Sequence, residues 1–227
     1  MMTFEPQVVL TLLQHGDSQF PSGAFAFSAG LEGLLADHRT RPADLPELLR
    51  LWLRCRWASF DRVFLRKAWR AAVAADSLAT LDQELDAMLL APAERAGSVR
   101  AGAALLAAHR RLGTSGAEPL AKAIAAGELT GHRLILDGAV WRAIGLNEDA
   151  AALLSVYGYI SALGTAAIRL GASSALAQQR LMTELAPDMA RLASMPLGDE
   201  ETPVAFSPWA EIALLRQPLR EQMLFAT

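Results

Sequence analysis

Residues 150–168 read AAALLSVYGYISALGTAAI and carry no charge between Asp149 and Arg169. Nineteen uncharged residues approach the length of a membrane-spanning helix. Small and polar residues such as Ser155, Gly158 and Thr165 interrupt the apolar run, however. The stretch therefore predicts a central helix of a helical protein, buried on all sides. A membrane-associated helical protein built around this stretch is kept as an alternative.

The composition outside this stretch also favours helices. Ala supplies 44 of the 227 residues and Leu 38, whereas Val and Ile together supply only 14. Ala and Leu are strong helix formers, while strands prefer β-branched and aromatic residues. The hydrophobic fraction of 52% excludes a mainly disordered chain. The sequence thus predicts an all-α fold, a single orthogonal helical domain of about nine helices with a C-terminal tail.

Apolar periodicity and Pro and Gly positions place the individual helices. Pro187 is expected to kink or split the last long helix, and Asp44 to cap the helix that contains Pro46. Residues 195–208 hold three prolines and an acidic run, which predicts a linker. We expect a helical domain over residues 1–195, with a linker and partner-binding tail over 196–227. The predicted helices cover residues 6–15, 31–35, 46–69, 77–90, 92–112, 118–126, 133–144, 148–170, 174–194 and 209–225.

The charged and metal-binding residues exclude several functions. A net charge of −3 offers no field that would recruit nucleic acid or an anionic membrane. Cys55 is the only cysteine, and no two of the four histidines lie three or four residues apart. No phosphate-binding glycine motif and no nucleophile motif occurs. We therefore expect no catalytic residues, no metal ligands and no directly bound cofactor, although distant histidines can still meet in space.

The stretch DSQFPSGAFAFSAGLE, residues 17–32, is unlike a plain loop between helices. Asp17 and Ser18 can close side-chain-to-backbone turns, and Ser28 can cap the next helix. Phe20, Phe25 and Phe27 either fold inward as a packed plug or stay outward as a docking surface. The residue pattern leaves both possibilities open.

The same stretch resembles the signature of the urease accessory protein F family, written near D-S-x-F-P-x-G-x-F-x-H-S-x-G-L-E. Three further stretches, residues 94–106, 166–181 and 207–225, resemble later family motifs in order and spacing. The chain departs from the pattern at Phe27, Glu211, Gln217 and Met223, and in lacking a proline after His132. The residues that match in the first motif are Asp17, Ser18, Phe20, Pro21, Gly23, Phe25, Ser28, Gly30, Leu31 and Glu32.

The resemblance implies a cytoplasmic, dimerising, non-enzymatic chaperone. It would bridge the urease-binding accessory protein UreD/UreH and the GTPase UreG, so that nickel reaches the urease apoprotein. Nickel and GTP would be held by these partners, and no membrane or nucleic acid is implied. The alternative from the residues alone is an all-helical enzyme that binds a small molecule among the aromatic residues 52–69. We expect partner contacts at Asp17, Ser18, Phe20, Pro21, Gly23, Phe25, Ser28, Gly30, Glu32, Arg95, Ser98, Arg169, Glu211, Leu224 and Phe225.

Overall fold

The computed structural model describes residues 5–21, 23, 28–72 and 75–216. These residues form helices joined by turns, and no strand occurs among them, so the predicted all-α fold is confirmed. A π-helical stretch, Leu53–Asp61, joins the helices Leu45–Trp52 and Arg62–Ala71 into one continuous rod. The helices are α1 (Pro6–Gly16), α2 (Leu31–Ala36), α3 (Leu45–Trp52), α4 (Arg62–Ala71), α5 (Ala75–Met88), α6 (Pro92–Arg111), α7 (Ala117–Ala125), α8 (Arg133–Ala143), α9 (Glu148–Arg169), α10 (Ala175–Ala193) and α11 (Pro208–Arg216).

The helices begin where the sequence supplies suitable first-turn residues. Pro6, Pro92 and Pro208 open α1, α6 and α11, where the missing proline N–H costs no intrahelical hydrogen bond. The Asn147 side chain caps α9 by accepting a hydrogen bond from the Ala150 N–H at 2.8 Å. Ser174 caps α10 in the same way. Local chemistry thus accounts for the starts of these five helices.

Helix α9 is the centre of the bundle and contacts α1, α4, α8 and α10. By length and composition it could cross a membrane, and half of its apolar stretch is buried inside the protein. The prediction that it is buried on all sides is wrong, because Tyr157, Gly158 and Ile168 are exposed. The neighbouring helices cover one side of α9 and leave these residues at the surface.

Aromatic residues of the long rod form part of the core. Trp52, Trp57, Phe60 and Phe64 are buried, which confirms the core interpretation of their helical spacing. Helix α8 packs closely on α4 at Gly138, where a Cβ atom would lie 2.7 Å from the Leu65 carbonyl oxygen. This close approach requires a residue without a side chain.

Three arginines of α4 lie one turn apart, and the outer two hold the segment that follows α10. Arg62 is buried and pairs with Glu201, while its guanidinium also donates to the Met195 carbonyl oxygen at 3.1 Å. Arg70 donates to the carbonyl oxygen of Leu197 at 3.3 Å. The predicted linker is thus attached to α4 by charge-assisted hydrogen bonds.

The central arginine of this set, Arg66, connects three helices. It is buried and donates to Glu148 at 2.7 Å and Asp149 at 2.6 Å, both in the first turn of α9. It also donates to the carbonyl oxygen of Ala193 in α10. Opposite charges and a helix-end carbonyl therefore surround the guanidinium and offset its desolvation.

The same segment continues against the π-helical stretch. The Val204 N–H donates to the Ser59 carbonyl oxygen at 2.8 Å, and the Phe206 N–H donates to that of Cys55 at 3.1 Å. Residues 196–216 therefore pack on the preceding helices. The domain boundary after residue 195 stays a prediction.

Helix α10 continues through Pro187, so the predicted split does not occur, while a kink at this residue stays a prediction. The proline faces solvent, and Leu185 and Met189 on either side of it are buried. The predicted side-chain cap at Asp44 is wrong. Asp44 precedes α3 but does not cap it, because its carboxylate accepts hydrogen bonds from the Arg41 backbone and guanidinium.

Candidate partner-binding surface

The signature loop, residues 17–32, starts with a tight turn after α1. The Asp17 carboxylate accepts a hydrogen bond from the Gln19 N–H at 2.8 Å, and the Asp17 carbonyl oxygen accepts one from the Phe20 N–H at 3.0 Å. The expected side-chain turn at Asp17 is therefore present. Asp17, Ser18 and Pro21 are exposed on the outside of this turn.

Phe20 is the part of the loop that turns inward. Its ring lies 4.5 Å from the His15 ring and 5.5 Å from the His109 ring, between centroids, and it is buried. Of the two predicted arrangements, Phe20 therefore adopts the one in which the side chain folds inward. Phe25 and Phe27 lie outside the described residues.

The middle and the end of the loop lie close to neighbouring helices. Gly23 has a φ of +69°, and a Cβ atom there would lie 2.9 Å from the Ala104 Cβ of α6. Ser28 is buried, but Gly30 is the N-cap residue of α2, so the prediction that Ser28 caps this helix is wrong. Glu32 is buried in the first turn of α2.

Helix α11 packs directly on α2 and joins the C-terminal region to the loop. Gly30 has a φ of +87°, and a Cβ atom there would lie 2.9 Å from the Ala210 carbonyl oxygen. At Gly33 a Cβ atom would lie 2.8 Å from the Ala213 Cβ. Motifs from the two ends of the sequence therefore share one face of the molecule.

Polar contacts extend this junction. The Arg39 guanidinium lies 4.7 Å from the centroid of the Trp209 ring, and Arg216 lies 3.9 Å from Asp37. Glu211 lines a small cavity together with Ala29 of the loop. Several apolar side chains just before and along α11 are exposed: Val204, Phe206, Trp209, Ile212 and Leu215.

A cavity of about 280 Å³ lies beneath the loop. Asp17 and Ser28 line it from the loop, and Ser98 lines it from α6. Trp57 and Trp141 form part of its apolar wall. Three predicted site residues, far apart in sequence, thus meet around one space.

Two acidic groups in the cavity wall, Asp61 and Glu94, are paired with Arg56, which lines the smaller cavity beside Glu211. Arg56 donates to Asp61 at 3.0 Å and to Glu94 at 2.9 Å, beside Tyr159. Burial raises the pKa of Asp61 despite this partner, and it also raises the pKa of the Tyr159 hydroxyl. These groups neutralise one another inside the protein.

A second ion pair lies on α8. Arg133 donates to Asp137 at 2.7 Å, one helical turn away. Burial raises the pKa of Asp137, and the Arg133 charge opposes this shift. The spacing of four residues between Arg133 and Asp137 was the available sequence signal, and it was missed.

The remaining predicted residues have different positions. Arg95 donates to the Leu89 carbonyl oxygen at 2.6 Å, which fixes the turn between α5 and α6. Ser98 accepts a hydrogen bond from the Arg133 N–H at 3.2 Å. Arg169 is exposed at the C-terminal end of α9 and does not line the cavity. Leu224, Phe225, Gln217 and Met223 lie outside the described residues.

Within the described part of the chain, no group of three His, Cys, Asp or Glu side chains could hold a metal ion. Two distant histidines do meet, as His15 and His109 stack with their ring centroids 5.2 Å apart. Sequence reasoning missed this pair because no local spacing connects α1 with α6.

Comparison with known proteins identifies the family. The family model described as UreF matches residues 40–186, more than half of the chain. This chain belongs to the UreF family. A urease accessory protein UreF from Trichodesmium erythraeum (strain IMS101) is 28% identical to this chain over an alignment of 229 positions. The alignment covers 96% of each of the two chains. UreF membership confirms the resemblance drawn from the motifs, and the matched region holds the helices from α3 to most of α10.

Proposed function

We propose that this UreF-family chain is a non-enzymatic scaffold for urease maturation. It bridges the urease-binding accessory protein UreD/UreH and the GTPase UreG, so that nickel is inserted into the urease apoprotein. Nickel and GTP are bound by the partners, and the chain works in the cytoplasm as a homodimer. Family membership supports the accessory role.

One structural observation carries the proposal. The contact between Gly30 and Ala210 brings the end of the signature loop against α11, and large apolar side chains on and just before α11 are exposed. Phe206 is 72% exposed and Trp209 is 55% exposed. Neighbouring large apolar side chains that stay exposed are typical of protein-binding sites. The partner surface therefore comprises the exposed part of the loop, residues 204–206 and the outer side of α11.

The charges of the cavity support a structural role rather than acid–base chemistry. Asp61 and Glu94 accept hydrogen bonds from Arg56, and Asp137 accepts one from Arg133. The Arg56–Glu94 pair joins the π-helical stretch to α6, whereas the Arg133–Asp137 pair lies within α8, and in both the buried charges are compensated. The nucleotide and metal chemistry of urease maturation then belongs to the partners.

The cavity itself favours a second candidate, an all-helical protein that binds a small molecule. Its walls contain Trp57 and Trp141, and Ala162 of α9 faces the same space. Ala162→Leu would fill part of the cavity. The scaffold proposal predicts unchanged urease activation by this variant, whereas a small-molecule site predicts a loss.

Co-purification tests the scaffold proposal. Phe206→Ser should reduce capture of tagged UreD/UreH and UreG while leaving the helical content unchanged. Leu176→Ser is the matched control, since Leu176 is 63% exposed at the start of α10, outside the proposed surface. Equal capture by wild type and by both variants would contradict this surface.

A further inference from the structure

Two histidines that are distant in sequence form a stack under the start of the signature loop. His15 lies in the last turn of α1 and His109 in the last turn of α6, with their ring planes 12° from parallel. Phe20 packs against both rings. The only buried aromatic side chain among the loop residues described thus rests on two imidazoles.

The hydrogen bonds fix the position of the proton on the His15 ring, and they engage one nitrogen of each ring. The His15 Nδ1 lies 2.8 Å from the Thr11 carbonyl oxygen, which only accepts, so Nδ1 carries the proton. The His109 Nδ1 lies 2.9 Å from the Thr114 hydroxyl. The Nε2 atoms of both rings are buried without a hydrogen-bond partner. A proton added at His15 Nε2 would thus create a buried N–H without an acceptor.

The charged groups around the stack oppose protonation. Burial, together with the neighbouring His15 and Arg133, lowers the pKa of His109 to about 4. Burial also lowers the pKa of His15, against the effect of the Thr11 carbonyl. The nearby carboxylates are engaged elsewhere, since Asp17 accepts from the Gln19 N–H and Asp137 from Arg133.

We propose that the His15–His109 stack is a proton-sensitive packing site for Phe20, which holds the start of the signature loop in place. We call this stack the seat. A proton taken up by either ring separates the stack, releases Phe20 and opens the Asp17 turn. A metal site explains the pair less well, because near-parallel rings do not direct their Nε2 lone pairs to one ion. No third ligand completes such a site among the described residues.

The consequence for regulation rests on the proposed function. If the loop is part of the partner surface, acid releases it and weakens partner capture. The seat itself needs no partner, so it can be tested on the isolated chain. Failure of the seat and failure of the scaffold proposal are therefore separate results.

Amide hydrogen exchange, resolved by NMR at pH 7.5 and pH 5.0, tests the seat. The Gln19 and Phe20 amides report the Asp17 turn, and the Val156 amide in α9 reports global unfolding. A His109 pKa that returns from about 4 to 6.5 on release favours the open loop about 30-fold at pH 5. After correction for intrinsic exchange, we expect protection of Gln19 and Phe20 to fall by at least about 10-fold at pH 5.0. Protection of Val156 should change much less.

Histidine variants separate this seat from a general effect of acid. His15→Gln with His109→Gln should abolish the pH response of Gln19 and Phe20, and His15→Gln alone should reduce it. His38→Gln is the control, because His38 is exposed. Equal loop protection at both pH values in wild type would overturn the proposal. An unchanged acid response in His15→Gln, or in His15→Gln with His109→Gln, would also overturn it.

Discussion

Gly30 lies against the backbone of Ala210, so closely that a Cβ atom on residue 30 would be 2.9 Å from the Ala210 carbonyl oxygen. This contact connects the end of the signature loop to the C-terminal helix. It explains why a residue without a side chain is required at a position that also has a φ of +87°.

Gly30→Ala should displace α11 and reduce partner capture. The new methyl group meets Ala210, so the free energy of unfolding should fall by about 2–4 kcal/mol, measured by urea denaturation. Gly145→Ala is the matched control, since Gly145 has the same φ of +87° and nothing within 4 Å of its Cβ position. The control should lose only about 1 kcal/mol from backbone strain. Equal losses in the two variants would contradict a specific contact with α11.

Removing residues 217–227 should leave the helical fold and the unfolding temperature unchanged. Partner capture should fall if this tail docks on a partner, as the family motif implies. Removing residues 208–227 should also destabilise the fold, because Ala210, Ala213 and Leu214 of α11 are buried. Circular dichroism and thermal unfolding distinguish the two truncations. A large loss of stability in the shorter truncation would show that residues 217–227 are structural.

Arg66→Met should strongly destabilise the bundle. The variant leaves Asp149 and the Ala193 carbonyl oxygen without this partner and weakens the pairing of Glu148. Breaking a buried ion pair costs about 3–5 kcal/mol, which urea denaturation would detect. Arg41→Met removes an ion pair at the surface and should leave the urea midpoint unchanged. An unchanged midpoint for Arg66→Met would refute the structural role of this arginine.

Asp82→Asn should loosen the turn before α8. The Asp82 carboxylate is buried and accepts hydrogen bonds from the N–H groups of Thr130, Gly131 and His132. An amide in its place turns one acceptor into a donor, so we expect a loss of about 2–4 kcal/mol in unfolding free energy. Glu84→Gln, at an exposed position of the same helix, should have no measurable effect. Equal urea midpoints for Asp82→Asn and wild type would show that these bonds contribute little.

Local residue patterns predicted much of this fold. Pro6 and Pro92 begin helices, and Trp52 and Phe64 recur at helical spacing and are buried. The centre of the molecule was also recognised from one uncharged stretch. The exposure of Tyr157 was not predicted, because it depends on where neighbouring helices stop covering α9.

Long-range contacts were beyond the sequence patterns. Arg62, Arg66 and Arg70 lie one turn apart, yet nothing local shows that their partners come from α9 and from residues 193–201. Asp82 shares α5 with the exposed Glu84, yet it is buried against a distant turn, and no local pattern distinguishes the two carboxylates. For the candidate site, the motifs named the loop and Glu211 separately. The contact that unites them, Gly30 on Ala210, required the structure.

Urease activity in cells tests the central claim most directly. The cells should carry urease, UreD/UreH, UreG and nickel, and lack only this chain. We predict that urease stays inactive, that the wild-type chain restores activity, and that Gly145→Ala restores it far better than Gly30→Ala. Full urease activity in the absence of this chain would contradict its role as the scaffold for nickel insertion.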